Sequence, residues 1–153
     1  MARSAGLRLL KRVGESRFWQ HTGRVHAFLY RWTGGTVGHS AGSIKNLLLT
    51  TSGRKSGRPR TVPLTYMPDG DSYVLVASNG GADRHPSWWL NLERTPAATI
   101  QVGRETRSVA ARKATPSERA RLWPLLKQYN PFYAQYERIT EREIPVVILH
   151  PRA

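Results

Sequence analysis

A chain of 153 residues suits one domain with a single core, and its five Trp and six Tyr residues exclude a disordered chain. The absence of cysteine excludes disulfides, thiolate catalysis and cysteine-ligated metals; the five histidines form no H-x-x-x-H or HExxH pattern, so no metal site is expected. A formal net charge of +14 favours anionic partners: nucleic acid, acidic lipid or a polyanionic small molecule.

Leu7, Leu10, Val13, Val25, Phe28, Leu29 and Trp32 fall close to a 3.6 period and predict a helix from about Leu7 to Trp32. Its cations (Arg3, Arg8, Lys11, Arg12, Arg17, Arg24 and Arg31) face a single acid, Glu15. Two readings fit: a helix packed on its own domain with arginines in water, or a basic amphipathic helix lying on an anionic bilayer. No run approaches the ~20 apolar residues of a membrane span, and no apolar signal region follows the basic N-terminus. A cytoplasmic protein is expected, with peripheral membrane contact through this helix as a further expectation. Gly34–Gly38 ends the helix, which divides the chain into a basic helix over 1–35 and a β-rich domain over 36–153.

Strands are predicted at Leu47–Thr51 and Thr61–Met67, on either side of a basic loop bounded by Gly53 and Gly57. Pro68-Asp69-Gly70-Asp71 predicts a turn, and the apolar run Tyr73–Ala77 a strand buried on both faces. After Asn79-Gly80-Gly81, Asp83 is expected to cap a short helix with Pro86 in its first turn and Trp88, Trp89, Leu90 and Leu92 within it. Ala98–Val102 and Thr106–Ala111 read as a hairpin joined through Gly103. Thr115-Pro116-Ser117-Glu118 is a capping box opening a helix with Leu122, Leu125 and Leu126. A tyrosine-rich helical segment (Tyr129–Tyr136) and a final strand (Pro145–Leu149) complete the order. Hairpin-linked strands with spacers too short for crossover helices imply an α+β fold: an antiparallel sheet or small barrel with helices outside.

Four segments carry candidate chemistry. Gly53–Arg60 concentrates Arg54, Lys55, Arg58 and Arg60 where backbone amides are free, and fits either an anion cradle or a solvated hairpin loop. It matches neither Walker A nor G-x-G-x-x-G. Ala77–Ala82, at the end of the most buried strand, reads as a simple turn or as an amide-rich edge for a heteroaromatic ligand. Trp88, Trp89 and Asn91 read as core, or as one core tryptophan, one cleft tryptophan and an orienting amide. Tyr129, Tyr133 and Tyr136 are spaced to share one helix face, whose hydroxyls suit packing at a rim or proton donation to a reduced centre. No triad, carboxylate pair or metal cluster is evident, so an enzyme reading requires a cofactor to supply the reactive group.

The segments T-T-S-G-R-K-S-G-R-P-R-T-V-P-L, V-A-S-N-G-G-A-D-R-H-P-S-W-W-L-N-L and I-P-V-V-I-L together resemble the deazaflavin-dependent nitroreductase family over about residues 40 to 150. The resemblance implies a split β-barrel like those of flavin reductases and pyridoxamine oxidases. It implies hydride transfer from reduced coenzyme F420 to a quinone, nitro-compound or similar small-molecule acceptor. By resemblance, Arg54, Lys55, Ser56 and Arg60 hold the cofactor's phosphate and acidic tail, Pro63, Leu64 and Thr65 flank its ring, and backbone atoms of Ala77, Ser78 and Asn79 run along its edge. Trp88 and Asn91 complete that pocket, and Ser78, Tyr133 and Tyr136 hold the acceptor, with a tyrosine supplying a proton. The sequence departs from the family's usual methionine at Ser87 and tyrosine at Trp89, which bears on acceptor specificity. A homodimer is expected from related barrels. The alternative function is a barrel that binds F420 or a lipid without turnover. A nucleic-acid module is not expected, since no RRM, KH or zinc-finger signature is present.

Overall fold

The structure is a computed structural model that describes residues 40–41 and 44–153. The helix expected over Leu7–Trp32, its connector, and the expected boundary at residue 35 lie outside the described residues. Seven strands follow in order: β1 (Ser40–Ala41), β2 (Ile44–Ser52), β3 (Pro59–Asp69), β4 (Ser72–Val76), β5 (Ala97–Val102), β6 (Glu105–Lys113) and β7 (Val146–Pro151). All pair antiparallel, in the order β1-β2-β3-β4-β7-β6-β5, and β5 returns to pair with β2. That last pairing closes β2 to β7 into a split β-barrel. Gly70 and Gly103 make its two tight hairpins at φ 58° and 59°, a backbone region that costs glycine little.

Side-chain alternation decides which residues fill the barrel. Leu47 and Leu49 of β2 point inward opposite Leu64 and Val62 of β3, and meet Leu75, Ile100, Val109, Val147 and Leu149. The neighbours in register, Val74, Val76, Val146 and Ile148, point outward. The predicted two-sided burial of Tyr73–Ala77 follows from this: Leu75 serves the interior and Val74 an outer core. Helix α1 (Ser87–Arg94) inserts Trp88, Trp89 and Leu92 into the interior core. Helices α2 (Pro116–Tyr129) and α3 (Phe132–Ile139) cover the outer face with Leu122, Trp123, Leu126 and Tyr133.

Three expectations are corrected. Asp83 does not cap α1; the helix starts after Pro86, whose ψ of 147° is extended and whose ring disfavours helix at His85. Trp88 and Trp89 do not divide between core and cleft, since both are buried in the same interior cluster. Ser87 is exposed, and Trp89 sits in the interior core. Tyr129, Tyr133 and Tyr136 do not share one helix: Asn130 leaves α2 in an extended conformation ahead of Pro131, and Tyr129 instead accepts a hydrogen bond from the Lys45 amide at 2.8 Å.

The capping box forms as predicted. Thr115 Oγ1 accepts from the Glu118 amide at 3.3 Å, and Glu118 Oε1 accepts from the Thr115 amide at 3.1 Å. Arg112 adds a bidentate fork to Glu118 at 2.7 and 2.8 Å. The Arg112 bond, then the Thr115 bonds, hold the Glu118 carboxyl down at about 2 from an ordinary 4.5. A depressed folded pKa adds stability above the unfolded value, and that stability is lost as pH falls from about 4.5 towards 2. Thermal melts across this window should fall more steeply for the wild type than for Glu118→Gln, with the two curves converging at the acid end.

Candidate functional site

The basic loop between β2 and β3 is held from within. The Gly53 amide donates to the Arg58 carbonyl at 2.8 Å, and the Gly57 amide to the Gly53 carbonyl at 2.7 Å. The Arg58 amide donates to Ser56 Oγ at 3.2 Å. A side chain at position 53 would meet Ser56 Oγ at 2.8 Å, so this close approach needs glycine. From α1, Asn91 Oδ1 accepts from both the Arg54 amide and Arg54 Nη1 at 3.1 Å, while its Nδ2 donates to Thr51 Oγ1 at 3.0 Å. The Asn91 amide is therefore committed at both ends to the loop and strand it fastens.

These bonds use the amides of Gly53, Arg54, Gly57 and Arg58, leaving those of Lys55 and Ser56 without an acceptor among the described residues. The loop is less an open ring of amides than the sequence suggests. What it offers is charge: Lys55, Arg58 and Arg60 are exposed, and none of the four loop cations pairs with a carboxylate among the described residues. Unneutralised cations held this close repel one another, and a bound anion relieves that repulsion.

The second part of the site lies where β3 and β4 separate. Their ladder runs only from Asp69↔Ser72 to Met67↔Val74. Beyond that, β3 stays with β2 and β4 stays with β7, with the Ala77 amide donating to the Pro145 carbonyl at 2.9 Å. Pro63, Leu64 and Thr65 thus stand along one side of the split and Ala77, Ser78 and Asn79 along the other. Thr65 Oγ1 is turned to Asn46 at 2.9 Å. Asn79, Gly80 and Gly81 take φ of 48°, 63° and 80°, and Asn79 is the one non-glycine residue with positive φ among those described. Among the described residues, the amides of Ser78, Asn79 and Gly80 have no acceptor. Three free N–H donors on one turn fit a ligand edge that carries hydrogen-bond acceptors.

Helix α3 backs this turn. A side chain at Gly81 would lie 2.6 Å from Ile139 Cδ1 and 3.3 Å from the Tyr136 Cα, so Tyr136 is held beside Ser78's turn. Tyr136 is half-buried and stacks on the exposed Phe132 at 6.2 Å. Tyr133 is buried in the outer core against Trp123, and burial pushes its phenol up to about 12. Burial also raises the Tyr136 phenol. Trp88 lies within the barrel interior. One shallow cleft of about 320 Å³ lies at the root of the basic loop, lined by Ser52, Gly57 and Arg152, and another of about 430 Å³ lies beside Tyr66, Tyr73 and Arg107. Neither is lined by Ser78, Tyr133 or Tyr136.

Arg142, just before β7, is a residue that sequence reasoning passes over. It donates to the carbonyls of Ala77, Ser78 and Ala82 at 3.2, 2.8 and 2.9 Å. Nothing in the chain's many cations singles it out before the fold brings these carbonyls to it. Among the described residues, no group of three or more His, Asp or Glu could hold a metal, and no helix is long and apolar enough to cross a membrane.

Comparison with known proteins identifies the family. The family model for F420H2-dependent quinone reductases matches residues 22–151. An F420H2-dependent quinone reductase of Mycobacterium tuberculosis is 43% identical over 133 residues, covering 84% of this chain and 89% of that protein. A solved F420H2-dependent reductase is 39% identical with a TM-score of 0.63, over 69% of this chain and 93% of its own. A second solved structure, described as a domain-swapped dimer, is 34% identical with a TM-score of 0.67, over 86% of this chain and 97% of its own. The chain belongs to the F420H2-dependent quinone reductase family.

Proposed function

We propose that this protein is an oxidoreductase that takes a hydride from reduced coenzyme F420 and delivers it to a quinone. The observation that carries this reading is the unneutralised cationic loop joined through β3 to a split lined by three free amides. Arg54, Lys55, Ser56 and Arg60 suit the cofactor's phosphate and carboxylates, with Arg54 pre-set by Asn91. Pro63, Leu64 and Thr65 suit one side of a flat ring; Ala77, Ser78 and Asn79 suit its polar edge. Trp88 and Asn91 act from behind this surface, as core and as loop fastener. When bound, the reduced cofactor supplies a hydride. The chain's own contribution is to orient the acceptor, since reacting atoms must approach to about 3–3.5 Å.

A quinone that gains a hydride also needs a proton on oxygen. We assign that proton to Tyr136, half-exposed on the helix beside the turn, and the orienting of the acceptor to Ser78. Tyr133, its phenol pushed up to about 12 by burial, stays protonated and anchors α3 on the outer core beside Tyr136. Nitro-compounds are a second acceptor class that the same donors would accommodate. The proposal extends to a cytoplasmic protein whose residues 1–32 touch anionic membrane, where quinones reside, and to a homodimer, which the domain-swapped relative supports. Vesicle co-sedimentation with and without that segment, and light scattering, are the respective checks.

Titrating the protein with F420 should quench its tryptophan fluorescence, and reduced F420 should be oxidised when menadione is added. Lys55→Ala should weaken cofactor affinity by about tenfold, the worth of one charge-assisted contact, with an unchanged melting temperature. Binding without oxidation of the cofactor across quinones and nitroaromatics would make the barrel a carrier and not a reductase.

A further inference from the structure

We infer that Arg142 is a positioning residue for the cofactor's ring edge: by gathering the carbonyls of the Ala77–Ala82 turn, it aims the opposite amides into the split. This deepens the proposed cofactor site and rests on it. The geometry is that of the peptide plane. A trans peptide points its N–H away from its C=O, and the described residues contain no cis bond. The Ala77 and Ser78 carbonyls both accept from Arg142 Nη2, at 3.2 and 2.8 Å. The amides that share those planes, on Ser78 and Asn79, must therefore point away from the guanidinium. The Asn79 carbonyl accepts from the Ala82 amide at 3.2 Å, which turns the Gly80 amide out in the same manner. Arg142 Nε closes the turn by donating to the Ala82 carbonyl at 2.9 Å. The carbonyls held on Ala77, Ser78 and Asn79 are thus followed by the amides of Ser78, Asn79 and Gly80, which have no acceptor among the described residues.

Arg142 is unusual in its company. It is half-buried, and no carboxylate lies in ion-pair range among the described residues. Burial works against its charge; the Asp83 carboxylate, beyond ion-pair range, offsets part of this, and the carbonyl oxygens that accept its hydrogen bonds stand in for lost water. Its Nη1 meets His85 Nδ1 at 3.1 Å, where a neutral ring accepts; burial, and then Arg142 itself, lower the His85 pKa and keep the ring in that form. A planar fork with five donors suits these separate acceptors. A lysine ammonium in the same place reaches only part of the set.

The test compares wild type, Arg142→Lys and Arg142→Ala, using F420 itself as the probe. In wild type, F420 should quench tryptophan fluorescence and shift the backbone amide NMR signals of Ser78, Asn79 and Gly80. Arg142→Lys should stay folded but bind about tenfold more weakly, with those three signals no longer responding. Guanidinium added at millimolar level to Arg142→Ala should restore part of the affinity. Wild-type affinity with responsive amide signals in Arg142→Lys would overturn the positioning role and leave the cofactor site standing. Wild-type protein that binds no F420 would overturn the cofactor site itself.

Discussion

Asn91→Ala should release the basic loop and lower F420 affinity by about tenfold or more, while the barrel remains assembled. The expectation follows from what the side chain holds. Asn91 is 3% exposed, and its amide joins α1 to β2 and to the loop through Arg54 and Thr51. Removing it leaves the Arg54 amide and the buried Thr51 hydroxyl without partners, at a cost of about 1–3 kcal/mol each where water cannot enter. Each kcal/mol corresponds to roughly 2–4 °C of melting temperature in a protein of this size. Arg54 Nη1 also loses its anchor. Asn91→Asp discriminates the cause. A carboxylate still accepts from Arg54, and the Thr51 hydroxyl can turn to donate to its second oxygen. Asn91→Asp should therefore recover most of the affinity, whereas Asn91→Leu, similar in volume, should not. Fluorescence titration with F420, alongside thermal melts, reads both quantities. A fall in stability with wild-type affinity in all three variants would mean that the loop finds its anion without being held.

The parts of this site that were legible in the sequence are those whose causes are local. Gly53 and Gly57 mark a loop because their constraints arise within six residues, and Thr115 to Glu118 forms its capping box within four. The apolar alternation of Leu47 to Leu49 and the run Tyr73 to Ala77 report burial directly. Illegible features depend on distant partners. Asn91 reads as an orienting amide until Thr51, 40 positions away, takes its donor. Arg142 reads as one more cation until carbonyls 60 to 65 positions upstream surround it. The tyrosine spacing failed for a local reason that was present: Pro131 pushes Asn130 out of the helix, and periodicity carried through a breaker it should have obeyed. The converse holds at Pro124, which stays inside α2 because Leu122, Trp123 and Leu126 around it are buried on the outer face.

Gly81→Ala should cost more turnover than any other substitution outside the ligand-facing residues. Two effects combine there. At φ +80° an L-residue costs about 1–2 kcal/mol for its backbone alone. The new methyl would also stand 2.6 Å from Ile139 Cδ1 and 3.3 Å from the Tyr136 Cα. The isoleucine tip can swing aside, but the Tyr136 backbone can yield only if α3 moves. Gly70→Ala separates the two effects. Its φ is +58° and a methyl there meets nothing within 4 Å, so it carries the backbone cost without the collision. Gly70→Ala should melt a few degrees lower, with F420 affinity and menadione reduction unchanged. Gly81→Ala should melt lower still and reduce menadione at least tenfold more slowly, because displacing Tyr136 by about 1 Å separates its phenol from the acceptor oxygen. Thermal melts and steady-state kinetics with reduced F420 distinguish the cases. Equal turnover in the two variants would show that the distance from turn to α3 does not matter to catalysis. The proton would then have to come from a group other than Tyr136, and the split would act through the cofactor's side alone.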